Sequence, residues 1–140
     1  MSRVGLGRAS LIAAGIATSA MGAFHFVLPQ LFGWAPFLHP LPAELRWALI
    51  AMNAFLSLLL LIGGLANLWV ARRRGPQTAL PQVAMVTFWT FNARYQLLRP
   101  FPTPGVRWAL LGFAVANAAL YTLALWAPAT AYSPACLCGA

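Results

Sequence analysis

The chain is expected to be an all-α polytopic membrane protein: one domain over residues 1–140, folded as an antiparallel bundle of four transmembrane helices. Three observations predict this. First, formal charge is confined to short segments. None falls between Arg8 and Glu44, between Arg46 and Arg72, or after Arg107, and residues 75–93 are also uncharged. A spanning helix needs about 20 mostly apolar residues. Second, 61% of the chain is apolar and 7% charged, whereas a soluble domain carries about 25% charged residues. Third, most of the tryptophans fall where the spans should meet headgroups, the level at which indole rings are favoured. Trp34, Trp47 and Trp108 stand on one side, Trp69 and Trp126 on the other. Trp89 is the exception, inside a span.

The first span is expected at residues 9–28, ending at Pro29. Arg3 and Arg8 before an apolar run, with small residues at 17–20, imitate a secretory leader, but the segment is read as a span. It carries two rows of small residues, Ala14, Thr18, Gly22 and Gly15, Ser19, Ala23. A spacing of four puts each row on one side of a helix. Small side chains let backbones approach closely where lipid leaves little hydrophobic drive between helices. Residues 30–43 hold Phe32, Trp34, Phe37, Leu38 and Leu41 cut by Pro36, Pro40 and Pro42. They are too apolar for a solvated loop and too broken for a span, so an interfacial segment is expected.

The second span, residues 44–70, gathers Asn53, Ser57, Gly64 and Asn67 into about a 90° sector, with leucines opposite for lipid. A basic turn of Arg72, Arg73, Arg74, Gly75 and Pro76 follows. The third, residues 79–98, is the least apolar, with Gln82, Thr87, Thr90, Asn92, Arg94 and Gln96. The fourth, residues 106–126, carries the small pair Gly112 and Ala116 and a central Asn117. The tail is short and Pro-interrupted.

The arginines set orientation. Arg3, Arg8, Arg72, Arg73 and Arg74 lie on one side, and Arg46, Arg99 and Arg107 on the other. A multi-pass protein of a bacterial inner membrane with both termini cytoplasmic is expected. The +8 net charge is spread over membrane flanks rather than gathered in one patch, which argues against a nucleic-acid partner.

Ionisable residues inside spans are rare and usually face the bundle interior. His25 and Arg94 each stand three or four residues inside the non-cytoplasmic end, about 5 Å deep. Glu44, the only acid, begins the second span on that side. One reading is a polar pocket of His25, Glu44, Arg94, Tyr95 and Gln96 for an anionic or quinone-like headgroup. The other has Arg94 reaching lipid phosphate while His25 bonds a neighbouring helix. A haem between two histidines is disfavoured because His39 follows a Pro-rich segment and lies on no facing helix. A tetrapyrrole or quinone has no recognisable motif here, and no metal set is present. Cys136 and Cys138, too few for structural zinc, read as an incidental pair. No nucleotide loop, Ser-His-Asp set or carboxylate pair exists to carry catalysis. Helix packing is assigned to Gly15, Thr18, Gly22, Asn53, Ser57, Gly64, Gly112, Ala116 and Asn117.

The run His25, Phe26, Val27, Leu28, Pro29, Gln30, Leu31, Phe32, Gly33, Trp34 is followed by Phe88 and Trp89, then by Arg94, Tyr95, Gln96 and Leu97, and by Pro100, Phe101 and Pro102. Together these resemble small four-helix bacterial membrane proteins of the DoxX type. That resemblance implies the four-helix fold and, for some such proteins, quinone-linked redox chemistry. The residues themselves favour an accessory or structural subunit, held in the bilayer by lipid and by other subunits of a respiratory or photosynthetic complex.

Overall fold

The computed structural model describes residues 3–72 and 79–127. Arg73, Arg74, Cys136 and Cys138 lie outside them. The described residues form five helices and no strand: α1 is Arg3–Leu31, α2 Ala35–Leu38, α3 Ala43–Arg72, α4 Leu80–Leu98 and α5 Pro104–Trp126. Among the described residues three helices, α1, α3 and α5, are long and apolar enough to cross a bilayer. The 19-residue α4 is less apolar. The exposed surface suits lipid: Phe55 and Phe91 are each 69% exposed, and many leucines flank them.

The first helix does not stop at Pro29. Proline removes the N–H that would bond the carbonyl four residues back, here that of His25. That carbonyl instead accepts a 2.8 Å hydrogen bond from Asn53 Nδ2 on α3, so the gap is filled across the helix pair. A neighbouring helix that re-satisfies a freed backbone group is what makes Pro tolerable in a membrane helix. The helix ends at Gly33 instead, in a left-handed conformation with φ 57°. Trp34 N–H donates to Pro29 O at 2.9 Å and Gly33 N–H to Gln30 O at 3.2 Å, the two bonds of a Schellman cap. The expected interfacial segment is therefore shorter: a capped turn, the one-turn α2 and a second turn into α3.

In the tertiary arrangement α1 packs against α3 and α5, α5 against α4, and α3 touches α4 only sparsely. The small-residue rows of α1 explain the closest approach. A Cβ on Gly22 would lie 2.6 Å from Leu61 N and 2.8 Å from Ser57 O. One on Gly15 would lie 3.1 Å from Gly64 O, and one on Gly64 2.7 Å from Gly15 O. Backbone thus meets backbone, and any larger residue must push the helices apart. Ala14, Thr18 and Gly22 are all buried, whereas Ala23, at the end of the second row, is exposed. On α3, Ser57, Gly64 and Asn67 are buried and Asn53 partly so, with Leu58, Leu59, Ile62 and Leu65 facing outward. At the other end Gly7 sits against Ala127, the guanidinium of Arg3 lies 5.1 Å from the Trp126 ring centre, and the two helix ends are level.

Candidate functional site

The best-defined polar arrangement is a buried hub on Thr18. Its hydroxyl accepts from Trp89 Nε1–H at 3.2 Å and from Tyr121 O–H at 3.0 Å, and donates to Asn117 Oδ1 at 3.4 Å. A hydroxyl has one proton and two lone pairs, and all three are used. The four residues are at most 3% exposed, and they tie α1, α4 and α5. Helix geometry brings them within reach of one another. From the contact of Gly7 with Ala127, Thr18 is about 16 Å along α1 and Tyr121 about 9 Å back along α5. The Tyr121 side chain leans toward its own helix N-terminus and spans the difference. Asn117 Nδ2 returns to Phe113 O at 2.9 Å. The ring of Trp89 is packed edge-on against Phe88 and Phe113, at 5.1 Å and 5.3 Å. Trp89, misplaced for an interfacial anchor, is thus a core residue with a satisfied N–H. Tyr121 escaped the sequence reading, although its spacing of four from Asn117 places both on one face.

The residues of the expected headgroup pocket are placed as follows. His25 is partly buried, and its Nδ1–H donates to Met21 O of its own helix at 2.9 Å. Glu44, Arg94 and Tyr95 are exposed and Gln96 partly buried. Among the described residues no hydrogen bond or ion pair joins Arg94 to Glu44 or His25. The guanidinium is thus free to reach headgroups.

Of the packing residues, Gly15, Thr18, Gly22, Ser57, Gly64 and Asn117 are buried, and Asn53 bonds α1. Gly112 and Ala116 are exposed, and a Cβ on Gly112 would meet nothing within 4 Å. Among the described residues no other helix packs over Gly112. Beside it, between α4 and α5, runs a shallow apolar groove of about 560 Å³, floored by Ala93, Ala118 and Ala119 and closed at its end by Trp126.

A second concavity, about 620 Å³, opens where α1, α2 and α3 meet. Gln30, Trp34, His39 and Arg46 line its rim, while Phe26, Ile50, Asn53 and Ala54 lie deeper. Sequence reasoning treated Arg46 only as a flanking charge. The available signal was its spacing of four and eight from Ile50 and Ala54, which puts all three on one face of α3. Near the α4 start, Asn67 Nδ2 donates to Gly63 O at 2.8 Å and to Pro81 O at 3.5 Å. Among the described residues no group of three or more His, Cys, Asp or Glu is arranged to hold a metal. Comparison with family models, curated proteins and solved structures returns no match.

Proposed function

We propose that this chain is a small accessory subunit that docks, as a four-span bundle, on a larger respiratory or photosynthetic assembly in a bacterial inner membrane, with both termini cytoplasmic. In this reading α4 is the fourth span, shielded on one side by α5 and on the other by a partner. The observation that carries the proposal is the outer face of α5. Gly112, Ala116 and Ala119 follow one another at helical spacing, exposed and with open space over Gly112, and they continue into the groove along α4. Close backbone approach is how helices associate in lipid, and among the described residues nothing makes it over Gly112. The occupant is a transmembrane helix of another subunit, its side chains seated between α4 and α5.

The test is Gly112→Leu with Ala116→Leu in the full-length tagged chain, purified from native membranes in mild detergent. The wild type should bring partner subunits in fixed stoichiometry, and the double variant should lose them. Its own melting temperature should stay unchanged, because Gly112 faces open space and Ala116 is exposed. Equal recovery of partners by both proteins, or a wild type that purifies alone, would sink the proposal. Reporter fusions at residue 140 and at residues 77–78 should read cytoplasmic, and one within residues 38–41 periplasmic.

A further inference from the structure

We infer that the concavity between α1, α2 and α3 is a binding site for an anionic phospholipid, with Arg46 on the phosphate and the acyl chain running inward over Ile50 and Ala54. The polarity of the walls carries the inference. From Arg46, Ile50 lies about 6 Å and Ala54 about 12 Å further along α3, and both line the same concavity. On α1, Phe26 lies one turn deeper than Gln30. Asn53, also at the deep end, has its amide N–H turned to the His25 carbonyl; otherwise both walls pass from polar to apolar in the same direction, as the interface passes into hydrocarbon. A ligand that matches them is charged at one end and aliphatic at the other.

The charge at the rim is uncompensated. Arg46 is partly buried, and among the described residues its guanidinium has no ion pair or hydrogen bond. Glu44 is two positions away, and residues so spaced on a helix do not face each other. An Arg fork matches phosphate oxygens two at a time. His39, at the end of α2, offers a ring N–H from the opposite rim, and Trp34 supplies the indole favoured at headgroup level. The site is preformed, because the Schellman cap at Gly33 turns the chain and places Trp34 and α2 over the opening. It is separate from the α4–α5 groove, so it stands or falls independently of the docking proposal.

The experiment is native mass spectrometry of the delipidated full chain, titrated with phosphatidylglycerol, phosphatidylcholine or inorganic phosphate. Wild type should retain phosphatidylglycerol in preference to phosphatidylcholine. Arg46→Gln should reduce phosphatidylglycerol retention at least about tenfold, the loss of one charge-assisted hydrogen bond, and abolish the preference. Arg46→Lys should fall between them, keeping charge but not the fork. Ile50→Trp fills the floor from a position already 48% exposed and should weaken phosphatidylglycerol without touching Arg46. An unchanged preference in Arg46→Gln, or full retention in Ile50→Trp, overturns the inference. So does displacement of phosphatidylglycerol by inorganic phosphate at equal concentration, since a free anion would then suffice.

Discussion

Thr18→Val removes one oxygen atom and keeps the volume, shape and β-branching of the side chain, so its effect isolates the hydrogen-bond hub. Two buried donors, Trp89 Nε1–H and Tyr121 O–H, then lose their acceptor at 3.2 Å and 3.0 Å. The bond to Asn117, at 3.4 Å, lies beyond the usual range for an O–H···O contact and adds little. Hydrogen bonds between membrane helices average about 0.6 kcal/mol and reach about 1.7 kcal/mol. Two such bonds place the cost between about 1 and 3.5 kcal/mol. The upper part of that range is expected, because all four residues are sealed from solvent and a buried donor without a partner carries a desolvation penalty. Thr18→Ser keeps the hydroxyl and should cost under about 1 kcal/mol, the scale of one methyl group.

The assay is reversible unfolding in mixed micelles by increasing SDS fraction, followed by tryptophan fluorescence. Trp89 makes that signal sensitive to the hub itself. A cycle with Tyr121→Phe separates the bond from general packing: the phenyl ring stays and only the hydroxyl leaves. Tyr121→Phe should cost less in the Thr18→Val background than in the wild type, by about 0.6–1.7 kcal/mol. Wild-type behaviour of Thr18→Val, or strict additivity with Tyr121→Phe, would refute the hub as a source of stability.

Asn53→Leu should destabilise the chain by about 1–2 kcal/mol, because the His25 carbonyl left free by Pro29 loses its donor. Pro29→Ala restores the missing N–H, so Asn53→Leu should become nearly silent in that background; an undiminished cost on the same SDS titration would show that Asn53 acts otherwise. Arg94→Lys and Glu44→Gln should each leave the unfolding midpoint within about 0.5 kcal/mol of wild type, since both side chains are exposed and unjoined. A larger, non-additive loss would restore an Arg94–Glu44 pair.

What the sequence made legible follows from two kinds of signal. Lengths of uncharged chain and the spacing of small residues gave the long helices and the inward faces of α1 and α3, because both are periodic properties of single elements. Thr18 and Gly22 are buried for the reason their row suggested. What the sequence left open concerns contacts between elements. Pro29 looked like a stop, because the residue that completes its hydrogen bonding is Asn53, on another helix. Trp89 looked out of place until Thr18 supplied an acceptor from a position 71 residues earlier. His25 and Arg94 shared a depth, but depth does not fix the angle around a helix, and that angle left Arg94 exposed. Arg46 looked ordinary because the pocket it rims is made by the turn at Gly33, which is visible only once the chain is folded.

The same distinction bears on why the outer faces of α3 and α5 differ. The α1–α3 pair is closed by backbone contact through Gly15, Gly22 and Gly64. The α4–α5 pair is joined to it through α1–α5 packing and the Thr18 hub, while α3 and α4 scarcely meet. Each pair turns a face outward. That of α3 is bulky, with Phe55, Leu59, Ile62 and Leu65 all more than half exposed, as lipid contact favours. That of α5 sets Gly112, Ala116 and Ala119 beside Trp108 and Val115, both more than half exposed, and among the described residues nothing lies over Gly112. If both faces met only acyl chains, no force would separate them in composition. In the docking proposal a partner helix on α5 supplies one, because small side chains gain from a neighbouring backbone what they cannot gain from lipid. The Gly112 and Ala116 substitutions therefore test the asymmetry itself: bulky residues there should make α5 resemble α3, a helix stable in lipid and indifferent to partners.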